Sequence, residues 1–282
     1  MSQSLHFTGH DGLALKAAAS GPADGAPVLL VHGGGQTRRA WRRAAEAIAS
    51  EGYRAIALDL RGHGESAWCD SGNYTLGHFA RDIVAVTGQI EGRLHYVGAS
   101  LGGLSGLIAE GDLNPGGFAS LTLVDITPNM SPDGVARITG FMAQHMDAGF
   151  ASPEDAADAI AAYTPHREKR GPSDSLKHYL RLGLDGRYRW HWDPAFITGI
   201  DADTGGATER LEDAARALTL PVHLVRGQSS DLVSPEAAQD FLKLVPHARY
   251  DDIAGTGHMV VGDRNDVFCD VILGFLKELA LA

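Results

Sequence analysis

The chain has 282 residues, enough for one large α/β domain or for a core carrying an insertion. Acidic residues outnumber basic ones 35 to 24, and a formal charge of −11 has the wrong sign for a phosphate-backbone binder, so nucleic acid is not an expected partner. Cys69 and Cys269 form neither a metal spacing nor a disulfide framework, "MSQSLHFTGHDG" has no signal-peptide pattern, and no apolar run reaches membrane-spanning length; a soluble cytoplasmic protein is expected.

In chain order, "LHFTGHDGLALKAA" reads as a hairpin with Asp11-Gly12 in its turn. Apolar runs suited to strands buried on both faces follow: "PVLLVHGG" (27–34), "YRAIALDLRG" (53–62), "RLHYVGAS" (93–100), "FASLTLVDI" (118–126), "LPVHLVRG" (220–227) and "ARYDDIAG" (248–255). They alternate with helical patterns, which predicts an α/β fold with a mostly parallel sheet. Cys269 falls in the last helical pattern and is expected in the core. The interval 127–215 breaks the alternation. "SPDGVARITGFMAQHM", "SPEDAADAIAAY" and "SDSLKHYLRLGL" carry helix-start signals, so the expected organisation is a core of 1–126 and 216–282 with a helical cap inserted at 127–215.

Chemistry concentrates at the ends of the expected strands. Gly98-Ala99-Ser100-Leu101-Gly102 fits G-x-S-x-G between a strand and a helix, the context in which a serine sits on a sharp turn as a nucleophile. His258, in the Gly-rich loop "AGTGHMV" after the last strand, is the candidate base. Asp231, in "LVRGQSSDLVSPE" after the penultimate strand, keeps the chain order Ser, Asp, His and is the preferred acid; Asp125, closing "LTLVDI", is the competitor. The "VHGGGQT" run offers Gly34 N–H as one oxyanion donor, with Gly35 as the alternative, and Leu101 N–H at the helix start offers the other. His32 reads as a brace for that loop.

Together "VHGGG", "LDLRGHGES", "GASLG", "RGQSSD" and "GTGH" resemble the α/β-hydrolase superfamily over nearly the whole chain. The resemblance is to its serine-nucleophile esterases, in the epoxide-hydrolase-like and cofactor-free haloperoxidase-like branch. It implies the α/β-hydrolase fold, a mostly parallel eight-stranded sheet flanked by helices with an inserted helical cap. It also implies a small-molecule substrate, acyl-enzyme chemistry on Ser100, and neither metal nor organic cofactor. Epoxide hydrolases and haloalkane dehalogenases carry aspartate at the elbow, so serine there argues for an esterase or lactonase. Carbon–carbon bond hydrolysis on the same triad, or ligand binding with negligible turnover, are the alternatives.

"GHGESA" (62–67) mimics a dinucleotide fingerprint, but "WCDSGNY" after it is a loop and not the required helix. Tyr163, Trp190 and Trp192 are candidate substrate contacts in the cap. From Tyr163 to Trp192 the expected cap holds seven basic residues (Arg167, Lys169, Arg170, Lys177, Arg181, Arg187, Arg189) against three acidic ones, a balance suited either to a solvated surface or to steering a substrate carboxylate.

Overall fold

A computed structural model of the chain describes residues 2–163, 176–201, 207–258 and 265–281. Its main sheet has eight strands: β1 (Gln3–Thr8), β2 (Ala14–Ser20), β3 (Pro27–Val31), β4 (Arg54–Leu58), β5 (His95–Ala99), β6 (Ser120–Val124), β9 (Val222–Gly227) and β10 (Arg249–Ile253). The spatial order is β1-β2-β4-β3-β5-β6-β9-β10, with antiparallel pairing only at β1/β2 and β2/β4. This is the α/β-hydrolase fold. Each expected strand is present.

The pleat divides the core. Val28 and Leu30 of β3, with Ala55 and Ala57 of β4, face Trp41, Ile48, Phe268, Cys269 and Ile272 on one side. Leu29 and Val31, with Ile56 and Leu58, face the other side, where Phe79, Ile83, Leu107 and Ala214 lie. This two-sided burial explains why the central strands read as continuous apolar runs and not as alternating ones. The first face is covered by α1 (Arg42–Ser50) and α9 (Asn265–Leu281), and the second by α2 (Leu76–Thr87), α3 (Leu101–Ile108), α7 (Ala207–Arg216) and α8 (Pro235–Leu244). Ser234 caps α8 by accepting from Ala237 N at 3.1 Å, with Pro235 in its first turn.

Between β6 and α7 lie α4 (Pro132–Ala143), α5 (Pro153–Tyr163), β7 (Leu180–Leu182), β8 (Tyr188–Trp190) and α6 (Ala195–Asp201). The Ser-initiated helices form as expected: Ser131 Oγ accepts from Gly134 N, and Ser152 and Asp155 cap one another reciprocally. Of "SDSLKHYLRLGL", the described residues 176–184 depart from the expected helix. Leu176–Tyr179 is a short 3₁₀ turn, and β7 then pairs antiparallel with β8 across the Asp185-Gly186 turn. Hairpin pairing overrides local helix propensity here, with Phe150 adding a bridge to Tyr188 from outside the hairpin. The expected cap boundary at 215 falls inside α7, which packs against α3 and so belongs to the core layer. Among the described residues no helix is long and apolar enough to cross a membrane.

Candidate active site

Ser100 ends β5 and starts α3 with φ 47° and ψ −120°, a conformation that costs an L-residue about 1–3 kcal/mol and that the surrounding structure must impose. Two constraints impose it. Ser100 N donates to Val124 O at 3.1 Å, and α3 is pressed so close to the sheet that a methyl group at Gly102 would lie 2.4 Å from the Val31 carbonyl oxygen. Beneath the turn the buried Tyr96 hydroxyl donates to Gly102 O at 2.6 Å. The serine stays partly exposed on top.

In the parallel β5/β6 ladder Ala99 pairs with Val124, so Ser100 and Asp125 stand side by side where the two strands end. Asp125 is fully buried, with φ 51°, a region aspartate enters more readily than most residues. Its carboxylate collects three donors. Oδ1 accepts from Gly227 N at 3.0 Å, while Oδ2 accepts from Ser230 Oγ at 2.6 Å and from His258 Nδ1 at 2.7 Å. A carboxylate only accepts, so the proton of the neutral imidazole sits on Nδ1 and Nε2 is left as a base. His258 itself is placed by the turn after β10, where Thr256 Oγ1 donates to Ile253 O and Ser229 N to Thr256 O.

This geometry corrects the expected acid. Asp231 is exposed, and its carboxylate pairs with Arg137 Nη1 of α4 at 2.7 Å, not with His258. The reason is strand order: β6 lies directly beside β5, whereas β9 is one strand further out. The β9 loop reaches the imidazole's partner only through Ser230.

The glycine run after β3 closes the other side. Gly33 packs so near Ser100 that a methyl group on it would lie 3.0 Å from Ser100 Cβ. Gly33 N donates to Gln36 Oε1 and Gly35 N to His63 Nε2, so both of these amides already have acceptors. Leu101 N is at the positive end of α3. Three buried histidines hold the loop. His32 Nδ1 donates to Gly33 O and its Nε2 accepts from Leu60 N, as a brace would. His63 Nδ1 donates to Arg61 O, and His191 of the cap accepts from Gly64 N while donating to Gly35 O. Burial drives all three imidazoles down to about 3, so they are neutral, as accepting from a backbone N–H requires.

Of the expected cap contacts, Trp192 reaches the site: with Met142 it covers Gly35, and the Phe196 ring covers Gly34. Trp190 is buried, stacked on Trp192 and edge-on to Phe150, and Tyr163 stacks on Phe141. These two hold the segment between β6 and α7 together. Arg187 binds the Ala148 and Gly149 carbonyls, Arg189 forks onto Asp185, and Arg181 lies over Trp68 while donating to Gly64 O. Those three basic residues are committed to structure; Arg167, Lys169, Arg170 and the Lys177 side chain lie outside the described residues. Among the described residues one group, His10, Asp11 and Asp82, has a metal-binding composition, but the Arg61 guanidinium already sits on it, 2.8 Å from Asp82 Oδ1. After "GHGESA" the chain runs as turns and loop until α2 begins at Leu76, which is no place for a pyrophosphate.

Residues 28–271 match the alpha/beta hydrolase family, and the chain belongs to it. It is 31% identical over 255 residues to esterase Rv0045c of Mycobacterium tuberculosis, covering 88% of this chain and 82% of that protein. It is 26% identical to the 3-hydroxybutyrate-oligomer hydrolase of Cupriavidus necator over 84% of each. The crystal structure of E-2-(acetamidomethylene)succinate hydrolase superposes with a TM-score of 0.83 at 23% identity, over 98% of this chain and all of that one, a likeness of fold.

Proposed function

We propose that the protein is a cytoplasmic serine hydrolase that cleaves a small or medium carboxylic ester, thioester or lactone through an acyl-enzyme on Ser100, with no metal or organic cofactor. The observation that carries this reading is the His258 Nδ1 to Asp125 Oδ2 hydrogen bond at 2.7 Å, next to the strained Ser100. It leaves Nε2 free to take the serine proton as Oγ attacks the carbonyl. The N–H groups of Gly34 and Leu101 receive the oxyanion, each such donor being worth about 10²–10³ in rate. His258 then protonates the leaving alcohol or thiol, and water repeats the cycle on the acyl-enzyme. Asp125, not Asp231, orients the imidazole.

Met142, Trp192 and Phe196 over the glycine run favour an apolar acyl group. The esterase and oligomer-hydrolase relatives support ester cleavage. The test is labelling by a fluorophosphonate together with hydrolysis of a p-nitrophenyl ester series, for wild type, Ser100→Ala and His258→Ala. Loss of both signals in Ser100→Ala is expected. Labelling without turnover of any ester moves the reading to carbon–carbon bond hydrolysis, and a folded wild type that does not label moves it to ligand binding.

A further inference from the structure

The β9–α8 loop meets the site twice: Ser229 N donates to Thr256 O in the turn that carries His258, and the Ser230 hydroxyl reaches the Asp125 carboxylate. Ser230 Oγ accepts from Leu232 N and from Val233 N, both at 3.1 Å. With both lone pairs engaged by amides, its one proton is directed at the remaining neighbour, Asp125 Oδ2, at 2.6 Å. That same oxygen accepts from His258 Nδ1 at 2.7 Å. The hydroxyl's direction is therefore set by the backbone of its own loop, and through it the loop sets where Oδ2 points. Oδ1 is held separately by Gly227 N at the end of β9.

We propose that Ser230 is a positioning residue of this reaction: its hydroxyl fixes the Asp125 carboxylate that orients His258, and position 230 can itself take over the carboxylate's task when Asp125 is neutralised. The second half follows from placement. A side chain at 230 already ends 2.6 Å from the oxygen that bonds the imidazole, so a carboxylate built there lies within reach of Nδ1. This rests on the hydrolase reading above.

The experiment is a double-mutant cycle with a swap, each variant checked by its thermal unfolding midpoint. Ser230→Ala is expected to lower kcat about tenfold with KM nearly unchanged, and Ser230→Thr, which keeps the hydroxyl, to stay within about threefold of wild type. A group acting through Asp125 loses its effect once Asp125 is gone, so Ser230→Ala should change the rate of Asp125→Asn less than about twofold. Asp125→Asn with Ser230→Asp should recover at least about tenfold over Asp125→Asn alone. The same factor lost in both backgrounds, or a swap no faster than Asp125→Asn, overturns the proposal. A readout independent of turnover is the downfield Nδ1 proton resonance of His258. If the wild type hydrolyses no ester, the hydrolase reading fails, and the present one still stands or falls on whether Ser230→Ala moves that resonance.

Discussion

Two aspartates compete for one imidazole, and which of them serves depends on a few ångströms that composition does not encode. Asp125 is buried with three donors, while Asp231 is exposed and tied to Arg137. Asp125→Asn is expected to lower kcat by about 10³–10⁴, by analogy with other triads in which the orienting acid is neutralised, whereas Asp231→Asn should leave it within about threefold. Steady-state kinetics on the two variants checks this, and equal losses would return Asp231 to the site. The three loop histidines make a second residue-scale prediction. Each is held near 3 in the fold by burial and titrates near 6.5 when unfolded, so below 6.5 the unfolded chain binds more protons. Their contribution is complete above pH 6.5 and is lost as pH falls from 6.5 toward 3, at up to about 1.4 kcal/mol per pH unit for each. Urea midpoints should therefore fall steeply between pH 6.5 and 5, and more gently in His191→Gln.

Among the elements, the β5–α3 turn has the least tolerance. Gly102→Ala pushes a methyl group to 2.4 Å from backbone that belongs to β3, which cannot swing aside as a side chain would. We expect a loss of several kcal/mol, on the scale of severe overpacking, and no fluorophosphonate labelling of whatever protein still folds. The segment between β6 and α7 is held differently. Arg137 of α4 pairs with Asp231 of the β9 loop, Ser131 N donates to Leu232 O, and His191 bridges to Gly35 and Gly64. The Arg137–Asp231 pair is solvent-exposed and adds only about 0–1 kcal/mol to global stability. Arg137→Ala should accordingly leave the unfolding midpoint almost unchanged while raising KM and exposing α4 to limited proteolysis. An unchanged KM would show that this pair does not control how this segment seats.

Over the whole molecule, the turn after β4 is anchored by a buried ion cluster. Arg61 and Asp82 are fully enclosed, with Nε to Oδ2 at 2.6 Å and Nη2 to Oδ1 at 2.8 Å, and Arg61 Nη1 also donates to Asn73 O. Removing Asp82 leaves the buried Arg61 with Asp11, 3.2 Å from Nη2, as its remaining counter-charge, so Asp82→Ala should cost about 3 kcal/mol, read from denaturant unfolding. Because His63 stands two residues from Arg61 and accepts from Gly35 N, this variant should also lose activity before it unfolds. Charge and hydropathy of the chain say nothing of this anchor. It forms only when the β1–β2 turn, which brings His10 and Asp11, the turn after β4 and α2 meet.

Legibility follows the range of the interaction. The eight strands of the main sheet, the Ser-capped helices α4, α5 and α8, the elbow at Ser100 and the loop carrying His258 are all written in local pattern, because buried parallel strands, cap residues and small-residue turns leave signatures within about ten residues. The family itself was legible from those motifs taken together. What needed the tertiary structure was every choice between near-equivalent partners. Asp125 and not Asp231 bonds His258 because β6 lies beside β5, the Gly35 amide is taken by His63, and Trp192 alone of the three expected aromatics reaches the glycine run. The β7–β8 hairpin lies within Leu180–Trp190, but the bridge from Phe150 to Tyr188 that extends it comes from outside any such window. Strand order and side-chain hydrogen bonds join residues tens to more than a hundred positions apart, as in the 133 positions between Asp125 and His258, and only the folded chain brings them together.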